Sequence, residues 1–152
     1  MNTKTETLVS QLQSILPEIL SNSPVAAAYL FGSAAEDHAT PLSDVDIALV
    51  VRHNLSPYDQ LKLELRLEGE LADRADIANA DVRVINQAPL SIRGQVATRG
   101  ILVYSADEDI RIEFETTSRD EYFDYEPIAR KLRQAFFADI RERGLHGQSR
   151  KT

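Results

Sequence analysis

The 152-residue chain contains no cysteine. That excludes disulfide frameworks and thiolate metal sites. No apolar run approaches the eighteen or more residues that a membrane span needs. The first residues, MNTKTETLVSQL, lack the unbroken apolar core of a secretory leader. These absences together point to the cytoplasm and to no membrane partner. Positive charge is also scarce: 17 Lys and Arg stand against 24 Asp and Glu, a net charge of −7. Sequence-blind nucleic-acid binding needs clustered bases, so no direct nucleic-acid contact is expected. An acidic surface does suit a basic protein partner, or a metal–nucleotide whose cation reverses the local field. Internal repeats and low-complexity blocks are missing.

The hydrophobic share is 43%, enough for the core of one domain of this length. Leu8, Leu12, Ile15, Leu16, Ile19 and Leu20 recur at helical spacing, which predicts an amphipathic helix over 6–21 with Pro17 as the point of a kink or split. VAAAYLF (Val25 to Phe31) and DVDIALVV (Asp44 to Val51) are short, apolar and bounded by turn residues, so both are predicted strands. Ser56 and Pro57 begin a helix by capping it and fixing its first φ. It runs to about Arg74, with the leucines from Leu61 to Leu71 as its core stripe. DVRVI (Asp81 to Ile85) is a third strand, APLSIRGQVATRG a short helix and ILVYS (Ile101 to Ser105) a fourth strand. A last helix carries Ile128, Leu132, Phe136 and Ile140 on one face and ends at Gly144. The expected organisation is one domain over 1–144 with a loose polar tail over 145–152. The order α-β-β-α-β-α-β-α predicts an α+β fold: a small mixed sheet with the first two strands antiparallel or adjacent, and helices packed on one side.

The stretch FGSAAEDHATPLSDVDIALV carries the chemistry. Residues i and i+2 of a strand share a face, so Asp44 and Asp46 stand side by side, their Cα atoms about 6.5–7 Å apart. Like charges that close raise a pKa unless a cation lies between them, and an acid pair at the mouth of an apolar strand is costly without a partner. Hard carboxylate oxygens suit Mg²⁺ held jointly with substrate phosphates. Gly32 follows a buried strand and permits close backbone approach, and Ser33 adds a hydroxyl beside free N–H groups suited to an anion. Asp81 opens the next strand as Asp44 opens its own. Three carboxylates are what two-metal phosphoryl and nucleotidyl transfer uses, and the third can take the proton of an attacking hydroxyl.

This arrangement resembles the Gly-Ser, ten residues, Asp-x-Asp signature of the DNA polymerase β-like nucleotidyltransferase superfamily. Ser43-Asp44-Val45-Asp46, Asp81, APLSIRGQVATRGILVYSAD and EYFDYEPI are similar to segments of the minimal nucleotidyltransferases, the MNT (MntA-like) antitoxins. The resemblance covers about residues 22–130. It implies that Asp44 and Asp46 bind two Mg²⁺ and that Asp81 binds one of them and helps deprotonate the acceptor. It also implies that Gly32 and Ser33, with Ser43 beside the acids, hold the phosphates of ATP. It implies transfer of AMP to a tyrosine of a HEPN-domain RNase toxin, silenced within a complex. Two places depart from the family pattern. Ala34, Ala35, Glu36 and Asp37 replace the basic residues many relatives carry after Gly-Ser, and Val84 replaces a second Asp.

Other readings stand beside this one. The chain can be a nucleotidyltransferase of small molecules, aminoglycoside-like, although 152 residues leave little room for the helical domain such enzymes add. It can also be an antitoxin that acts by binding alone. Among single residues, His38 reads as a solvated loop residue. Arg83 shares the face of Asp81, where it pairs with the acids, with phosphate, or in a plain surface bridge. Arg93 and Arg99 read as exposed helix arginines, with triphosphate or toxin contact as the alternative. Tyr122, Phe123 and Tyr125 read as core anchors, with base stacking or partner contact as the alternative.

Overall fold

The computed structural model describes residues 3–36 and 44–149, with side chains to Arg143. The elements follow the expected order. They are α1 (Thr3–Leu20), β1 (Val25–Phe31), a short 3-10 turn (Gly32–Ala34), β2 (Val45–Val51), α2 (Pro57–Ala75), β3 (Ala80–Val84), α3 (Leu90–Arg99), β4 (Ile101–Ser105) and α4 (Glu108–Ser149). The strands form one sheet in the order β3-β2-β1-β4. β1 is antiparallel to both β2 and β4, whereas β2 and β3 run parallel. The sheet is therefore mixed, and the first two strands are antiparallel neighbours. Among the described residues, no helix is long and apolar enough to cross a membrane.

The helices cover both faces of the sheet, not one. Strand alternation sends Val25, Ala28, Leu30, Ile47, Leu49, Val82 and Val84 to one side, where Leu12, Leu16, Leu67 and Leu71 of α1 and α2 meet them. Ala27, Tyr29, Ala48 and Val50 point the other way, to Val96 of α3 with Ile110 and Phe114 of α4. A parallel β2–α2–β3 crossover has to run over one face of the sheet. The segments after β3 close the other.

Three further expectations change. α1 passes through Pro17 as one helix. In α2 the buried residues are Leu67, Leu71 and Ala75, with Leu63 packed beside them, whereas Leu61 and Leu65 are exposed. Leucines at 61, 63, 65, 67 and 71 fit two helix faces, and the sheet selects the one spaced by four. α4 continues through Gly144 to Ser149. One helical glycine costs only about 1 kcal/mol, too little to end a helix by itself.

The glutamates of α2 do more than solvate it. β3 is an edge strand, and its outward N–H groups need acceptors. Val84 N–H donates to Glu64 Oε2 at 2.8 Å and Val82 N–H to Glu68 Oε2 at 2.9 Å. α2 thereby fixes the strand that carries Asp81. On the other face, Gly94 brings α3 close to α4: a Cβ there would overlap the ring of Tyr122. Tyr29 is buried beside Phe114, and its hydroxyl donates to Glu115 Oε2 at 2.7 Å. Burial first, then that carboxylate, push the Tyr29 hydroxyl far above its ordinary pKa.

Candidate active site

The end of β1, the start of β2 and the start of β3 meet at one end of the sheet's strands. In the parallel pair Asp46 lies opposite Asp81, and in the antiparallel pair Phe31 lies opposite Asp46. Asp46 therefore sits between the residue that precedes Gly32 and the third acid. Alternation puts it on the α3–α4 side, since its neighbours Val45 and Ile47 belong to the α1–α2 core. Asp44, two residues earlier, is exposed at the mouth of the strand. Val45 N–H donates to the Asn79 carbonyl at 2.9 Å, which ties the start of β2 to the segment before β3.

Gly32 makes the turn beside this acid. Its φ is +72°, which favours glycine, and a Cβ there would run into the Asp46 carboxylate. The requirement is thus double: a left-handed backbone and room for Asp46. The Ala35 and Glu36 N–H groups both reach the Gly32 carbonyl, at 3.2 and 3.3 Å. Thr5 of α1 donates to the Ala34 carbonyl at 2.9 Å. α1 therefore anchors the turn from behind, a role that its periodicity did not reveal. Ser43 lies outside the described residues, as do Asp37 and His38.

The electrostatics are those of crowded carboxylates. Partial burial holds the Asp46 carboxyl above its ordinary pKa, Asp81 and Asp44 add to the rise, and Arg83 opposes it. Arg83 faces the acids and grips Asp81: Nη2 to Oδ2 is 3.0 Å and Nε to Oδ1 is 3.4 Å. Of the alternatives for Arg83, the structure shows a surface bridge, with Arg83 60% exposed, whose partner is a member of the acid cluster. Asp81, through that fork, raises the Arg83 pKa further. Among the described residues no group of three acid or histidine side chains forms a metal-holding set. Asp81 instead has a guanidinium as its counter-ion. The donor chemistry of Asp44 and Asp46 still fits a hard divalent cation, because the crowding on Asp46 is what such an ion relieves.

A cavity of about 160 Å³ opens beside the turn, lined by Phe31, Gly32, Glu36, Gln95 and Arg99. Arg99 Nη1 lies 3.5 Å from Glu36 Oε1, and both side chains are substantially exposed. The acidic residue that departs from the family pattern therefore has a basic partner from α3. No spacing signal could have paired residues 63 positions apart. Arg93 turns elsewhere: Nε donates to the Ala88 carbonyl at 2.9 Å, and Nη1 is 3.9 Å from Glu121. Tyr122 seats on Gly94, but Phe123 and Tyr125 are exposed, so the expected aromatic core anchor is Tyr122 alone.

The family model for "Polymerase beta, Nucleotidyltransferase" matches residues 13–109. Among curated proteins, none matches the chain in sequence. Solved structures do match in fold. A chain from the crystal structure of a toxin–antitoxin with AMP-PNP is 22% identical, with a TM-score of 0.60 over 84% of this chain and 97% of that one. A chain from the tri-AMPylated HEPN toxin of Shewanella oneidensis in complex with MNT antitoxin is 21% identical, with a TM-score of 0.57 over 87% and 98%. A chain from the toxin–antitoxin MntA-HepT is 21% identical, with a TM-score of 0.56 over 86% and 97%.

Proposed function

We propose, from the premise that this chain belongs to the polymerase β nucleotidyltransferase family, that it is a Mg²⁺-dependent adenylyltransferase antitoxin of the cytoplasm. It transfers AMP from ATP to a tyrosine of a HEPN-domain RNase toxin and neutralises that toxin in a complex. The observation that carries the reading is the register opposing Asp46 to Asp81, with Gly32 turning beside Asp46. The fold-level likeness to chains of toxin–antitoxin complexes supports the choice of acceptor.

The chain's residues divide the work as follows. Asp44 and Asp46 would hold Mg²⁺, with Asp81 as the third carboxylate beside them, and the ion would neutralise triphosphate charge there. The Gly32–Ser33 turn offers its N–H groups and the Ser33 hydroxyl to the phosphates, with Ser43 assisting from the segment before Asp44. Arg99, at the rim of the same cavity, exchanges Glu36 for a phosphate oxygen. Asp81 accepts the proton of the tyrosine hydroxyl. The tyrosine oxygen then bonds to the α-phosphorus, the bond from that phosphorus to the bridging oxygen breaks, and pyrophosphate leaves with the electron pair. No separate acceptor-binding domain is needed, because a protein acceptor brings its own surface.

Labelled ATP and Mg²⁺, incubated with the protein and the toxin encoded beside it, test the reading. Label is expected on the toxin, falling at least about 10³-fold for Asp44→Asn with Asp46→Asn, in line with the loss of a principal electrostatic stabiliser. Label that survives the double substitution refutes the mechanism. Tight complex formation without label under any condition replaces the enzyme with a binding-only antitoxin.

A further inference from the structure

α4 has two unlike halves. Its first half is packed: Ser118 is 1% exposed and Ala129 is 5% exposed. Ala129 is the last buried residue of the helix among the described side chains. The same face then continues at helical spacing as Leu132, Phe136 and Ile140, flanked by Ile128. Ile128 is 60% exposed, Leu132 66%, Phe136 62% and Ile140 44%. From residue 130 to Ser149 the helix extends 20 residues, roughly 30 Å at 1.5 Å per residue. The apolar stripe itself, from Ile128 to Ile140, covers roughly 18 Å, and a contiguous exposed apolar patch marks an interaction surface.

The flanking charges select the occupant. From Glu126 to Arg143 there are five bases and three acids, on a chain whose net charge is −7. Lys131 flanks the stripe on one side and Arg133 on the other. Arg133 is held by Glu126 at 3.1 Å, but a second copy, antiparallel with Leu132 stacked on Leu132, would bring Lys131 alongside its own symmetry mate. Like charges at flanking positions oppose that pairing. A groove with an apolar floor and carboxylates on its rim satisfies both the stripe and its flanks.

We propose that the distal half of α4 is a docking helix for a different protein, which receives Ile128, Leu132, Phe136 and Ile140 in an apolar groove rimmed by Asp or Glu. This is recognition of an amphipathic helix by anchors at i, i+4 and i+8. For the identity of that protein the inference rests on the function proposed above, in which the partner is the HEPN-domain toxin.

The test co-expresses the toxin with the full chain, wild type and Leu132→Asp/Phe136→Asp. Both positions are exposed, so unchanged circular dichroism and AMP-PNP binding verify that the variant is folded. The wild-type chain alone is expected to be monomeric, the complex to survive purification, and the variant to bind at least about 100-fold more weakly. Lys131→Glu/Arg133→Glu is expected to weaken the complex about 10-fold at low salt and by less at high salt. An unchanged complex in the Leu132/Phe136 variant overturns the proposal, even if the toxin is labelled with AMP. No complex with the wild-type chain overturns it too. So does a wild-type homodimer that the variant dissolves. Loss of the complex in the variant supports the docking helix even if the wild-type pair yields no label, an outcome that sinks only the adenylyltransferase reading.

Discussion

The two faces of the sheet are built from the same four strands and have different jobs. On the α1–α2 face, β1, β2 and β3 present aliphatic side chains to two leucine-rich helices. On the α3–α4 face the strand centres are apolar, but β2 and β3 begin with Asp46, Asp81 and Arg83. One face stabilises the fold. The other gives up apolar contact at one end and gathers charges there. Neighbours in sequence therefore differ in role: Ile47 is fully buried against the leucines, and Asp46 faces the turn at Gly32.

The largest stability effect should come from the closed face. Ile47→Ala is expected to cost about 2–5 kcal/mol, as for large-to-small changes at fully buried aliphatic sites, read as a lower denaturation midpoint with an unchanged m-value. If Ile47→Ala costs less than about 1 kcal/mol, the two faces are not divided in this way.

Asp46→Asn should do the opposite, and more weakly. The folded Asp46 pKa lies above its unfolded value because of burial and the neighbouring acids. The folded state therefore binds this proton more tightly, and the charged carboxylate destabilises the metal-free fold above the folded pKa. Asp46→Asn removes that charge. The metal-free variant should melt slightly above wild type at pH 7, and the gain should vanish as the pH falls through the folded pKa to the unfolded one. A variant that melts below wild type at pH 7 contradicts the crowding of the acids. Stability gained where function is lost is the usual mark of a binding site.

Much of the fold was legible because each strand is short, apolar and bounded by turn chemistry. VAAAYLF is β1 to the residue. The start of β2 beside the acids followed from the same pattern, and alternation correctly placed Arg83 on the face of Asp81. What could not be read depends on three-dimensional register. Nothing in the leucine run from 61 to 71 says which of two faces meets the sheet. Nothing local pairs Glu36 with Arg99, or directs Glu64 and Glu68 to the edge of β3. The spacing of Ile128, Leu132, Phe136 and Ile140 revealed a helix face but not that the domain stops short of covering it.

On the reading proposed above, the charged end of the α3–α4 face is a metal–nucleotide site. The most direct measurement is a calorimetric titration of AMP-PNP into the purified chain, with Mg²⁺ and with EDTA, for wild type and for Asp44→Asn/Asp46→Asn. Binding is predicted for wild type with Mg²⁺, weakened at least about 10-fold by EDTA and by the double substitution, since both remove charge compensation between carboxylates and triphosphate. Equal affinity in all four conditions would contradict the claim, because the nucleotide would then be held without the acids.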